Sequence, residues 1–296
     1  MQKFSFKKID AFTGGQATGN PAGCVCLQHE QDITVAAMQR IAWELKGFVS
    51  EVAFLFPVAD GVRLKYYSSE CEVEFCGHAS IAALYDWIRS NETLRRQKEL
   101  SLYVNAGKLT VFNHIDDEDA VYVMAPEPQF LPCGWSADEI AGALAIDPSA
   151  LAVAAPVQIV NAGLRTLIVP LASLDACLGL KPPQEALRQF CLSGDVDIVL
   201  VYSPETYLQS SQYRTRVFAP KFGYLEDPAT GSGNSAFGYY LIQNGRWTSN
   251  VTIEQGPSKM VPNIVKLRKI HTATADRILF GGSALTRICG DYCLHG

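Results

Sequence analysis

The chain of 296 residues lacks any apolar run approaching the roughly 18 residues that a membrane helix needs, so no membrane span is expected. Basic blocks are missing too, and a formal net charge of -5 argues against a nucleic-acid surface. Small molecules are therefore the expected partners. No signal peptide opens the chain: Met1-Gln2-Lys3-Phe4-Ser5-Phe6 moves directly into a strand-like pattern, and a soluble, cytoplasmic protein is expected. A disulfide framework is absent as well, because nine cysteines is an odd number and they scatter from Cys24 to Cys293, which suits reduced thiols. Cys24 and Cys26 are one residue apart and Cys289 and Cys293 three, with no histidine nearby, so no metal site is expected.

What the chain does have is a segment that occurs twice. Phe75-Cys76-Gly77-His78-Ala79-Ser80 and Ala229-Thr230-Gly231-Ser232-Gly233-Asn234 each lead into an apolar run. A shift of 154 positions lays Gly77 on Gly231, Ala82 on Ala236, Tyr85 on Tyr239 and Ile88 on Ile242. It also lays Cys76 on Thr230 and His78 on Ser232. The shift is close to half the chain, and with 48% hydrophobic residues each half can bury a core of its own.

The spacing of apolar and turn residues supports duplication. The first half reads as strand Phe4 to Phe12, a polar glycine loop from Thr13 to Pro21, strand Gly23 to Leu27, and a helix from about Asp32 to Leu45. Strand Glu51 to Phe56 turns at Asp60-Gly61 into Val62 to Tyr67. Gly77 then opens a helix to about Arg89 that is apolar nearly all round, as a helix enclosed by sheet should be. Strands Leu100 to Asn105 and Lys108 to Phe112 follow. The acidic run Asp116-Asp117-Glu118-Asp119 reads as a solvated loop and as the crossing between halves. The second half repeats the plan: strand Ala120 to Ala125, helix Ser136 to Leu144, strands Val157 to Val160 and Thr166 to Pro170, helix Pro183 to Leu192, and strands Asp197 to Tyr202 and Tyr213 to Phe218. Gly231 opens its enclosed helix, and strands Val251 to Gln255, Ile264 to Ile270 and Arg277 to Gly281 end the pattern. Residues 1-117, completed by about 277-296, and 118-276 are the expected halves.

A helix that starts at glycine offers unpaired backbone N–H groups at its positive end, where a carboxylate is held without a side chain. Gly77 and Gly231 mark two such starts. His78 follows one of them and changes charge near neutral pH. Cys76 precedes it and reads either as a thiol activated by the helix or as a small buried side chain. Asp227, before Pro228, is a turn cap or a partner for a substrate amine or hydroxyl, and Ser232 is an early-turn hydroxyl or a substrate contact. Glu51 opens an apolar strand, where burial would move its carboxyl toward the range of a general base.

Together, Asp10-Ala11-Phe12-Thr13, Gly19-Asn20-Pro21-Ala22-Gly23, Ser50-Glu51-Val52-Ala53-Phe54-Leu55, Cys76-Gly77-His78-Ala79, Glu226-Asp227-Pro228-Ala229-Thr230-Gly231-Ser232 and Gly281-Gly282-Ser283-Ala284 resemble the PhzF-like family, in the family's order and nearly end to end. The resemblance implies an α+β, diaminopimelate epimerase-like fold: two pseudo-symmetric halves, each a β-barrel-like sheet round a central helix, with the active site in the cleft between them. It implies a cofactor-independent isomerase similar to trans-2,3-dihydro-3-hydroxyanthranilate isomerase, a small carboxylate-bearing substrate, and a homodimer. Glu51 falls on the family's catalytic acid/base. His78, Asp227 and Ser232 fall on substrate-binding positions, with Gly77, Gly231, Gly233 and Asn20 counted beside them and Cys76 as an accessory. The related racemases use a cysteine at each helix start, but here Thr230 takes the second place, which speaks against two-cysteine racemisation. Glu254-Gln255-Gly256-Pro257-Ser258-Lys259-Met260 also departs from the Gly-Arg-Pro-Ser-like stretch that often follows Glu-Gln-Gly in the family, so the substrate stays open. Two other readings remain: a Cys76/Glu51 epimerase or dehydratase, and a metabolite-binding protein without catalysis.

Overall fold

The computed structural model describes residues 1–295 and divides into two compact units, Met1–Met124 with the stretch from Gly281 onward, and Ala125–Phe280. The first unit begins with β1 (Gln2–Ala11) and β2 (Asn20–Cys26), then α1 (Val35–Glu44), β3 (Glu51–Val58), β4 (Gly61–Ser68) and the short β5 (Glu72–Val73). The enclosed helix α2 (Gly77–Arg89) comes next, followed by α3 (Glu92–Arg95), β6 (Glu99–Val104), β7 (Gly107–His114), α4 (Ile115–Glu118) and β8 (Ala120–Met124). Helix α1 starts at Val35 rather than near Asp32 because the Thr34 hydroxyl accepts from Ala37 N at 3.1 Å and caps it there.

Strand pairing in this unit mixes directions. The pairs β1–β2, β3–β4, β4–β5, β6–β7 and β7–β8 are antiparallel, whereas β2–β3 and β4–β6 are parallel. Helix α2 buries Ala79 through Tyr85 and Ile88, so little of its circumference faces water. Full burial of Ile81, Leu84 and Ile88 contributes roughly 1.5–3 kcal/mol each. On the other side of the sheet, Met38 and Ile41 of α1 pack with Phe4, Phe6, Phe54 and Phe56.

The acidic run does not form the solvated loop expected from its charge. It folds as α4, with Asp119 in the left-handed region at φ 50, and Arg95 reaches Asp116 at 2.6 Å while the Tyr122 hydroxyl donates to Glu118 at 2.5 Å. The loop between β1 and β2 is also pinned. Phe12 holds φ 60, its N–H donates to Ser283 O at 2.8 Å, and Arg287 donates to Ala17 O at 3.1 Å. At Gly19, with φ 72, a Cβ would stand 2.6 Å from the Ala11 carbonyl, so this loop closes only on glycine.

The second unit runs β9 (Gln129–Leu131), α5 (Ala137–Leu144), β10 (Gln158–Asn161), β11 (Arg165–Pro170), α6 (Leu174–Gly179), α7 (Gln184–Ser193), β12 (Ile198–Ser203), β13 (Tyr213–Phe218), β14 (Glu226–Asp227), α8 (Gly231–Gln243), β15 (Val251–Gln255), β16 (Asn263–His271) and β17 (Asp276–Gly282). Its ladder has the same directions in the same order. The pairs β10–β11, β12–β13, β13–β14 and β15–β16 are antiparallel, and β11–β12 and β13–β15 are parallel. Helix α8 stands where α2 stands in the other ladder, touching β10, β11, β12 and β16, and is buried from Gly233 to Leu241. Helices α5 and α7 cover the outer face around Ile140, Leu144, Leu187 and Phe218.

One long strand escapes the sequence reading. β18 (Ala284–Leu294) pairs antiparallel with the whole of β1, from Gln2–Leu294 to Ala11–Ala284, with one irregularity at Lys8/Ile9. Helix α2 touches both β8 and β18 of its own unit, besides β1, β2 and β3, so the sheet curls round it.

Candidate active site

Glu51 is the first residue of β3, held opposite Ser68 of β4 at the point where the buried run Val52–Phe56 begins. The start of α2 is set by Cys76, an extended N-cap residue at φ -132, ψ 112 whose carbonyl accepts from Ser80 N at 3.0 Å and Ser80 Oγ at 2.7 Å. The Tyr66 hydroxyl of β4 lies 2.6 Å from that same Ser80 Oγ, which ties the helix start to the sheet. This frame brings three side chains into a row. Glu51 Oε2 is 3.2 Å from His78 Nε2, and His78 Nδ1 is 3.5 Å from Cys76 Sγ. The Glu51–His78 approach has ion-pair length but poor hydrogen-bond alignment, and neither atom has another hydrogen-bond partner. Two buried polar atoms left in this state are costly unless they serve something else.

Burial opposes a charge on His78, yet Cys76 and Glu51 beside it outweigh burial and carry its pKa well above the ordinary value. Burial pushes the Cys76 thiol up, against the pull of His78. The row thus sets a carboxyl group that is 23% exposed beside an imidazole that is 13% exposed. The first N–H groups of α2, beginning at Gly77, add the partial positive charge of a helix start.

In the second unit Thr230 caps α8 with almost the geometry of Cys76, φ -123 and ψ 109. Asp227 lies in β14 opposite Val217, half-buried, and accepts a short hydrogen bond from the Thr230 hydroxyl. Gln255, fully buried at the end of β15, clamps this turn. Its Oε1 accepts from Thr230 N at 3.0 Å and Asn234 Nδ2 at 2.7 Å, and its Nε2 donates to Asp227 O and Thr230 Oγ1, both at 3.0 Å. Ser232 is half-buried and does not cap its own helix, while Gly231 and Gly233 are buried against Phe280 and Ile198. Asp227, Gly231, Ser232 and Gly233 therefore share one turn. Glu51, His78, Gly77 and Cys76 share one helix start. Asn20 opens β2, buried, outside the Glu51–His78–Cys76 row.

Sequence reasoning missed Gln255 and Asn234. Gln255 occupies an ordinary strand position, and the available signals were its place in the Glu-Gln-Gly stretch and that of Asn234 at the end of the doubled segment. Among the described residues, two groups are close enough to hold a metal ion, Glu51–Cys76–His78 and His114–Asp117–Glu118. In the first, the sulfur and the carboxylate lie nearest opposite ring nitrogens.

Residues 9–290 match the family model described as "Phenazine biosynthesis-like protein". Among curated proteins the chain is 31% identical over 260 residues to the uncharacterized isomerase YfhB of Bacillus subtilis, covering 86% of this chain and 87% of that one. It is 28% identical to antisense-enhancing sequence 1 of Schizosaccharomyces pombe, over 98% of this chain and 99% of that one. Among solved structures, the Bacillus anthracis phenazine biosynthesis protein of the PhzF family superposes with TM-score 0.87 at 24% identity, over 99% of this chain and all of that one. A probable proline racemase from Agrobacterium radiobacter superposes with TM-score 0.64 at 12% identity, over 99% of this chain and 93% of that one. The fold is the α+β, diaminopimelate epimerase-like fold that the motifs imply.

Proposed function

Because the chain belongs to the phenazine biosynthesis-like family, we propose that it is an isomerase that relocates a proton on a small carboxylate-bearing metabolite, with Glu51 as the general acid/base and no cofactor. The observation that carries this reading is the 3.2 Å approach of Glu51 Oε2 to His78 Nε2, at the mouth of a helix N-terminus. The Glu51 carboxyl is placed to take the proton, and the His78 imidazole, whose pKa is raised, stabilises negative charge that develops on the substrate when the C–H bond breaks. The helix N–H groups at Gly77 take the substrate carboxylate. Glu51 then gives the proton back to another carbon on the same face, a reaction similar to the isomerisation of trans-2,3-dihydro-3-hydroxyanthranilate. Asp227 and Ser232 are assigned the amine or hydroxyl groups of the substrate.

The buried Cys76, kept as a thiol, is a poor base, which weighs against thiolate-driven epimerisation. The name isomerase carried by the Bacillus subtilis relative agrees with the reading. The test is solvent-deuterium incorporation into candidate amino and hydroxy acids, followed by mass spectrometry, for the parent and for Glu51→Gln. The variant should bind the labelled substrate and turn over none of it; unchanged turnover would sink the assignment.

A further inference from the structure

The turn ahead of α8 contains hydrogen bonds whose directions are determined by their chemistry. Thr230 N–H can only donate, and it points at Gln255 Oε1 from 3.0 Å. Asn234 Nδ2 also faces two oxygens, the Thr230 carbonyl at 2.9 Å and Gln255 Oε1 at 2.7 Å. With two donors fixing the oxygen end of the Gln255 amide, its nitrogen end must face Asp227 O and Thr230 Oγ1. A hydroxyl has one proton. Since Gln255 donates to Thr230 Oγ1, that proton goes to the remaining neighbour, Asp227 Oδ2.

We propose that Thr230 and Gln255 are positioning residues that hold the Asp227 carboxylate as a hydrogen-bond acceptor, so that the substrate presents it with a donor, an ammonium or a hydroxyl, rather than a carbonyl or phosphoryl oxygen. The proposal rests on the reading of Asp227 as a substrate-binding residue. It also gives Thr230 a role where the related racemases have a cysteine: the hydroxyl is locked by its two partners and is no proton shuttle.

Two measurements test it. Neutron diffraction from deuterium-exchanged crystals of the parent should place the Thr230 hydroxyl deuterium toward Asp227 Oδ2; a deuterium directed at Gln255 overturns the proposal. With the substrate found by deuterium incorporation, Thr230→Val should raise KM by about 10-fold with kcat nearly unchanged, and Thr230→Ser should restore the parent value. A loss confined to kcat, or no rescue by serine, also overturns it. The neutron measurement needs no turnover, so failure of the Glu51 assignment and failure of this one are separable.

Discussion

Two glycine-to-alanine substitutions in the second unit should move stability in opposite directions. At Gly231 an added Cβ would lie 2.6 Å from two ring carbons of the buried Phe280, well inside the roughly 3.5–4.0 Å separation of carbons in contact. The ring and the helix start are both enclosed, so one must shift, and overpacking of this kind costs about 1–3 kcal/mol. Alanine's helix preference returns at most about 1 kcal/mol. With the clash near the upper end, the net loss is about 2 kcal/mol. At Gly142, exposed within α5, nothing lies within 4 Å of an added Cβ, and only the propensity gain of about 0.5–1 kcal/mol remains. For a unit of this size 1 kcal/mol is about 2–4 °C. Scanning calorimetry should therefore show Gly231→Ala lowered by about 4–8 °C and Gly142→Ala raised by about 1–4 °C. Shifts of the same sign, or a Gly231→Ala melting point equal to the parent's, would refute the reasoning. The comparison isolates close approach of the backbone at the helix start, because the residue change is identical.

Arg214 is wholly buried, donating to Glu254, Gly256 O and Ser258 O, while Glu254 also accepts from Tyr207 N and Leu208 N. Arg214→Met strands that carboxylate and should cost about 3–5 kcal/mol in denaturant unfolding, whereas Arg214→Met/Glu254→Leu should recover only part of it, because Tyr207 N–H and Leu208 N–H then lose their acceptor; a double variant as weak as the single would contradict this. His78 is raised above its ordinary value, since the pull of Cys76 and Glu51 exceeds the opposing effect of burial. Its stabilising contribution is then fully present below about pH 6.5 and lost as pH rises through the higher folded value. His78→Gln should cost more stability at about pH 5.5 than at about pH 9.5 by calorimetry, and a cost independent of pH would count against the pairing.

Much of the architecture was legible because local pattern and tertiary demand coincide. The enclosed helix expected from Gly77 to about Arg89 spans Gly77–Arg89, since its all-round apolar face has a single sensible location. β18 was not legible. Most of its residues from Leu285 to Asp291 are exposed and show no alternation, and it is a strand because β1 offers a complete row of backbone partners. Helix α6 was too short to read; Ser173 caps its start, and Arg216 Nη1 binds carbonyls at its end, among them Cys177 O at 3.1 Å. The same limit applies at the site. Nothing periodic connects Glu51 with His78, because their meeting depends on the register of β3 against the start of α2, and only the family motifs pointed to it. The ladders also show why the halves differ in chemistry: the strand matching β3 is β12, and its first residue is Ile198, an apolar side chain packed toward Gly233. The second unit has no counterpart to the Glu51 carboxylate at that place.

The pairing of β1 with β18 has a consequence for synthesis. The second unit is continuous in the chain and has every strand it needs once about residue 280 has left the ribosome. The first unit, although it begins earlier in the chain, cannot zip Gln2 against Leu294 until Leu294 has been made. At roughly 5–20 residues per second that leaves one edge of β1 without its final partner for roughly 15–60 s. Order of manufacture and order of completion are therefore reversed for the two units, and β1 gains its second edge only after the second unit has all its strands.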